Sequence, residues 1–184
     1  MRKVIYWVHT SIDGFIAGPN GEFDWPLLTP ELSEYSDLMS DRVGVFLYGR
    51  VVWDLMSGYW PTADQVADDP HSVKFAPIWR ETPKVVFSRT LTEAGWNARV
   101  TADLEGTVRA LRAEDGKDMV LTGGAETAAA LASHDLIDEY QVVVHPVVLG
   151  GGKRIFPVAE RLGLRLAETR AFDDRAVLLS YRRS

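Results

Sequence analysis

Hydrophobic positions along the chain fall into short runs divided by glycine, proline and acidic turns. Val4 to Val8, "VIYWV", is an unbroken apolar, β-branched and aromatic run, the pattern of a strand covered on both faces. The next stretch, "HTSIDGFIAGPNGEFDWP", is too rich in glycine and turn formers for a helix or a long strand and predicts a long loop. Pro30 can open a helix through Leu38 and Met39 with Thr29 as its N-cap, and "VGVFLYG" at Val43 to Gly49 reads as the next strand. A short helix over "RVVWDLM" follows. From Gly58 to Pro83 repeated prolines and the lack of a sustained period predict a surface excursion with about one helical turn.

"KVVFS", Lys84 to Ser88, resumes the sheet. Asp103 can cap a helix whose Leu104, Val108 and Leu111 share one face, with Gly116 past its end. "MVLT", two glycines and a helix to about Ser133 come next. Glu139 to Val148 is strand-like, and Pro146 within it implies an edge or a bulge. "LRLAETRAF" and "AVLLSYR" flank Asp173-Asp174 as a closing antiparallel hairpin. Strands alternating with helices, then a hairpin, describe an α/β protein with a mixed sheet and helices on both faces. No repeat or linker divides it, so residues 1–184 read as one domain.

Composition narrows the function. With 46% hydrophobic and 25% charged residues, 184 residues suffice for a substantial core. No apolar run is long enough for a bilayer and no signal-peptide pattern opens the chain, so a cytoplasmic location is expected. The lack of cysteine excludes disulfides and thiolate metal sites. His9, His71, His134 and His145 show no zinc-like pairing, so no metal is expected. A net charge of -6 argues against nucleic-acid binding; an anionic small molecule would have to be met by a local cluster of cations and backbone N–H groups.

Candidate chemistry begins at "MVLTGGAETAAAL", Met119 to Leu131, where an apolar run passes through Gly123 and Gly124 straight into a helical pattern. The glycines admit either a phosphate at a helix start or a tight strand-to-helix turn. Two further strand ends, "YGR" at Tyr48 to Arg50 and "SRT" at Ser88 to Thr90, carry similar features. In an open α/β sheet such ends can share one elongated anionic ligand, which places Gly49, Ser88 and Gly124 along one cleft. Asp13, in "SIDG", is the ionisable residue available to orient a substrate or help deliver a proton, although Asp-Gly pairs also make plain turns. Trp25, Tyr59 and Trp60 could wall a ring substrate. His9 and His145 read as hydrogen-bonded core residues.

"TSIDGFIAG", "LYGRVVW", "KVVFSRTL", "LTGGAETAAAL" and "LIDEYQVVVHPVVLGGGKRIF", in this order and spacing, resemble the dihydrofolate reductase-like superfamily. More closely they resemble stand-alone relatives of the C-terminal reductase domain of the bifunctional riboflavin-biosynthesis deaminase-reductase. The resemblance implies a three-layer fold whose twisted, mostly parallel mixed sheet ends in an antiparallel hairpin. It implies an NADPH-dependent reductase of a small heterocyclic, pterin- or pyrimidine-like, or carbonyl substrate, or a binding protein that kept only the cofactor cleft. Carried over, Gly49, Arg50, Ser88 and Arg89 would lie at the adenosine 2'-phosphate, Gly123, Gly124, Ala125 and Glu126 at the pyrophosphate, and Ile16 and Ala17 over the nicotinamide. Asp13, Trp25 and Trp60 would face the substrate. The Gly123–Gly124 peptide would be cis. A homodimer is also implied, and apolar Val142 to Gly151 would suit its interface. Two departures narrow the substrate: Thr122 stands where riboflavin-pathway reductases commonly carry an acid, and Glu34 does not match the buried acid of dihydrofolate reductase.

Overall fold

The computed structural model describes residues 1–158 and 160–184. Its strands are β1 (Val4–Ser11), β2 (Phe15–Ala17), β3 (Val43–Gly49), β4 (Lys84–Phe87), β5 (Ala98–Thr101), β6 (Asp118–Thr122), β7 (Glu139–His145), β8 (Lys153–Arg154), β9 (Leu164–Phe172) and β10 (Ala176–Arg183). The α-helices are α1 (Pro30–Arg42), α2 (Arg50–Tyr59), α3 (Ala63–Val66), α4 (Pro70–Glu81), α5 (Leu104–Ala113) and α6 (Ala125–Ser133). Eight strands form one sheet in the order β5-β4-β3-β6-β1-β7-β10-β9, while β2 and β8 pair as a separate ribbon. From β5 to β7 all neighbours run parallel, and β10 pairs antiparallel with both β7 and β9.

Side-chain alternation along the strands divides the core between the sheet's two faces. Val4, Tyr6 and Val8 of β1 join Leu47, Leu121 and the α5 and α6 residues Val108 and Leu131 on one face. Ile5 and Trp7 join Tyr48, Val120 and the helical Leu32, Trp53 and Trp79 on the other. The result is the expected three-layer arrangement.

Four sequence expectations need correction. Residues 58–83 are helical: a 3-10 turn at Trp60–Thr62 leads into α3 and the twelve-residue α4, whose Asp69 side chain accepts from Ser72 N at 2.9 Å. Pro77 within α4 had hidden the period, but Trp79 docks the helix by stacking on Trp53 and donating Nε1–H to Tyr48 Oη at 3.0 Å. β7 is an interior strand that ends at His145, so Pro146 falls beyond the ladder and marks neither edge nor bulge. Val142 and Val143 are buried within the subunit, which removes their apolarity as grounds for a dimer. Thr29 occupies the N-cap of α1 but makes no side-chain cap bond. The hairpin turn does that work: Glu31 N donates to Asp173 Oδ2, and Asp173 N to Glu31 Oε2, both at 2.9 Å.

Lys84 is buried without a carboxylate, its Nζ donating to Thr82 O at 2.6 Å and Trp96 O at 2.9 Å and lying 4.3 Å from the Trp79 ring centre. Burial pushes its pKa down to about 8. The folded state therefore binds fewer protons than the unfolded chain between pH 8 and the ordinary lysine value, so this group makes stability rise with pH there. Denaturant titrations from pH 8 to 10 should show a gain on the order of 1–3 kcal/mol in the native protein that is absent in Lys84→Met.

Candidate active site

A cleft of about 1140 Å³ opens beyond the carboxyl ends of β1 and β6 and runs along the sheet face that carries Trp7, Phe46 and Val120. Strand order makes this position available: the chain moves outward from β3 to β5, then returns to insert β6 beside β1 before crossing to β7. Ligands in open α/β sheets bind where the winding reverses in this way.

At the cleft mouth two helix starts meet. β3 and β6 are parallel neighbours, so α2 and α6 begin side by side. A Cβ placed on Gly49 would stand 2.3 Å from Thr127 Oγ1, showing how tightly the two helix starts abut. Neither helix has a side-chain N-cap, and the first backbone bond of α6 is Ala128 N to Gly124 O at 2.9 Å. Among the described residues the N–H groups of Ala125, Glu126 and Thr127 make no hydrogen bond, which leaves them able to meet an anion. Gly123 and Gly124 have φ of +59° and +68°, turning β6 into α6 through the left-handed region. The peptide between them is trans, correcting the expected cis bond; two successive positive φ values make the turn without it.

The β2–β8 ribbon covers the mouth, with Phe15 opposite Arg154 and Ala17 opposite Lys153. Ile16, Ala17, Gly123, Gly124, Gly152 and Lys153 all line the cleft here. Gly152 is held against the cover: at φ +123°, a Cβ on it would lie 2.0 Å from Ala17 O. Lys153 Nζ reaches Glu126 Oε1 at 3.6 Å. Ala125 is buried beneath the helix start.

Other expected residues are placed differently. Gly49 and Ser88 lie along the same sheet edge as Gly124, but only Gly124 borders the cleft. Thr127 occupies the space beside Gly49, while Ser88 Oγ accepts from Thr90 N at 3.2 Å and Leu91 N at 3.0 Å. Arg50 and Arg89 are exposed, and Arg50 Nε contacts both Asp54 oxygens at 2.9 Å. Asp13 accepts from Leu149 N at 3.1 Å and Gly150 N at 2.8 Å, and does not border the cleft. Its bond with Ser11, joined by those N–H groups, holds its pKa near 2. A carboxylate bound in this way clamps the loop and stays ionised at neutral pH. Trp60 borders the cleft, whereas Trp25 does not and meets His145 edge-on at 5.7 Å.

His9 and His145 are the hydrogen-bonded pair the sequence suggested, but neither His9 nor His71 was expected at the cleft. His9 borders the cleft and its Nδ1 lies 2.8 Å from Nε2 of buried His145. Burial first, then the charges of His145 and His71, press His9 to about 3, and burial brings His145 to about 4. Both rings are neutral at physiological pH, with one donating N–H to the other. His71, on α4, borders the cleft from the opposite layer. Neither histidine has a sequence neighbour that signals the other, because β1, β7 and α4 meet only in the fold. Among the described residues, no cluster of three or more His, Asp or Glu side chains is arranged to hold a metal.

The mostly parallel sheet, with helices on both faces and antiparallel C-terminal strands, is a dihydrofolate reductase-like fold shared with solved structures. The sequence profile of the RibD C-terminal domain matches residues 2–178, and the chain belongs to that family. It is 35% identical to the uncharacterised Bacillus subtilis (strain 168) protein YyaP, over 98% of this chain and 94% of that one. It is 30% identical to YwjB of the same organism, also uncharacterised, over 100% and 99%. A protein provisionally assigned to riboflavin biosynthesis from Shewanella sp. PV-4 shares the fold with a TM-score of 0.73 at 23% identity, covering 100% of this chain and 99% of its own. So does the Thermotoga maritima diaminohydroxyphosphoribosylaminopyrimidine deaminase/5-amino-6-(5-phosphoribosylamino)uracil reductase, with a TM-score of 0.69 at 16% identity, covering 100% of this chain and 57% of its own. Among the described residues, no helix is long and apolar enough to cross a membrane.

Proposed function

We propose that the protein is an NADPH-dependent reductase of a small heterocyclic or carbonyl-bearing substrate. The observation that carries this reading is the uncapped helix start at Gly124, whose N–H groups suit a pyrophosphate at the mouth of the cleft, with the uncapped start of α2 packed beside it. Bound NADPH would supply the hydride. Gly123, Gly124 and the start of α6 would hold its diphosphate, and Ile16 and Ala17 would shield its nicotinamide from water. Reduction of a carbonyl then requires a proton on the oxygen as the carbon takes the hydride, yielding an alcohol and the oxidised nucleotide. The engagement of Asp13 with the 149–150 backbone favours a second reading, a nicotinamide-nucleotide-binding sensor without a proton donor. Consumption of NADPH absorbance with pterin, pyrimidine or quinone substrates supports the enzyme; saturable binding without consumption supports the sensor.

Arg50 tests cofactor choice. Asp54 engages its Nε, and among the described residues Nη1 and Nη2 make no hydrogen bond, so these atoms could take a 2'-phosphate. Arg50→Ala should weaken NADPH roughly tenfold and leave NADH binding nearly unchanged. Equal weakening in a fluorescence titration would remove the 2'-phosphate assignment.

A further inference from the structure

The cleft is larger than a nicotinamide site requires. Its volume of about 1140 Å³ exceeds the roughly 300–1,000 Å³ of a typical small-molecule pocket. Beyond the mouth it continues between the sheet and the layer of α1, α2 and α4, with walls that include Met39, Phe46, Leu55, Met56, Trp60 and Phe75. Leu55 is 63% exposed, an apolar side chain facing open space. Among the described residues no arginine borders the cleft, and its one lysine, Lys153, sits at the mouth beside Glu126.

The inner polar groups are mostly engaged. Ser40 Oγ donates to Ser36 O at 2.9 Å, and Tyr59 Oη lies 3.1 Å from Ser72 Oγ. His71 differs. Its ring stacks on Phe75 at 5.4 Å and meets Trp60 edge-on at 5.9 Å. Its Nδ1 points to Asp37 Oδ1 at 3.7 Å, and both atoms are shut from solvent without a hydrogen bond. His71 borders the cleft, and among the described residues its Nε2 makes no hydrogen bond, which leaves that nitrogen available to a ligand. Asp37 also holds Lys74 Nζ at 2.7 Å. Burial lowers the pKa of His71, while Asp37 and Asp69 oppose the shift.

Resting on the reductase reading, we propose that the inner cleft binds an uncharged, largely apolar ring compound with one carbonyl or hydroxyl oxygen at His71 Nε2, and excludes sugar phosphates. A phosphate here would lose its water against apolar walls and find no arginine to replace it. An apolar ring gains from the same surfaces. Catalytic hydrogen bonds are often long before ligand binds, so a small approach of His71 to Asp37 would orient the ring. In reduction, a bound cofactor would supply hydride to the carbonyl carbon, and the oxygen would take the Nε2 proton of the imidazolium form, which the Asp37 carboxylate favours and burial opposes. The resulting alcohol then donates to the neutral nitrogen, with Nδ1–H directed at Asp37.

The test uses 2-naphthol, 2-naphthyl phosphate and naphthalene in ligand-observed NMR titrations of the full chain. 2-Naphthol should bind saturably and at least about tenfold more tightly than its phosphate ester. Leu55→Asp should weaken it roughly tenfold. His71→Phe should weaken 2-naphthol about fivefold and leave naphthalene unchanged. Binding of the phosphate ester as tight as that of 2-naphthol, lack of saturation by 2-naphthol, or equal loss of 2-naphthol and naphthalene in His71→Phe would overturn the proposal. NADPH titration of the same samples separates the two readings: naphthol binding without NADPH affinity removes the reductase reading alone, and the converse removes the apolar-substrate reading alone.

Discussion

Gly152→Ala is expected to destabilise the protein by on the order of 3 kcal/mol and to abolish most nucleotide affinity. The new Cβ would stand 2.0 Å from Ala17 O and 2.8 Å from Gly18 C, both backbone atoms that no side-chain rotation can withdraw. A φ of +123° adds strain for any L side chain. The cover over the cleft mouth would have to move, taking Ile16 and Ala17 with it. Gly151→Ala is the matched control: its Cβ would meet only Pro19 Cγ at an ordinary 3.6 Å. Thermal melts should show a drop of roughly 10 °C for Gly152→Ala and almost none for Gly151→Ala. Identical melts would show that the cover yields freely.

Gly124→Asp should weaken NADPH at least about a hundredfold, and Gly124→Asn roughly tenfold. Both residues tolerate the left-handed conformation at φ +68° better than other side chains, and either Cβ would meet Val52 Cγ2 at 3.4 Å. They differ in charge. A carboxylate 4 Å from a phosphate is opposed by about 4 kcal/mol at an effective dielectric of 20, a cost the amide does not carry. The gap between the variants should narrow at high salt. Equal losses at every ionic strength would mean that the seat is shaped for geometry and that no anion rests there.

The parts legible in the sequence were those whose causes are local. Val4 to Val8, Val43 to Gly49 and Met119 to Thr122 betray buried strands because burial on both faces leaves an unbroken apolar run. Asp103 announced α5 because its cap bond, accepting from Gly106 N at 2.9 Å, spans three residues. The Gly123–Gly124 pair could be placed at a helix start for the same reason. Helix α4 escaped because its stabilising contact, Trp79 to Tyr48, crosses layers while its internal Pro77 breaks the local pattern. β5 escaped because four residues, Ala98–Thr101, are too few to show alternation. At the site, the clamp formed by Asp13 was not legible because its partners lie 136 and 137 residues away. His71 was passed over, and His9 was read only as a core residue, because only packing brings β1 and α4 to the same cleft. Gly152 stood in a quoted motif, yet its need for a bare Cα comes from Ala17, across the ribbon.

That ribbon has a consequence for ligand exchange. Asp13 holds the 149–150 backbone, Gly14 O accepts from Ile155 N at 3.0 Å, and Ala17 lies against Gly152, so residues 13–17 and 149–155 are joined at three levels. Neither strand can lift alone. Opening the mouth therefore breaks several contacts at once, a cooperative sub-global event of the kind seen by amide hydrogen exchange. The residence time of a nucleotide would then be governed by the opening frequency of this unit, and two chains with identical cleft linings could release their cofactors at very different rates.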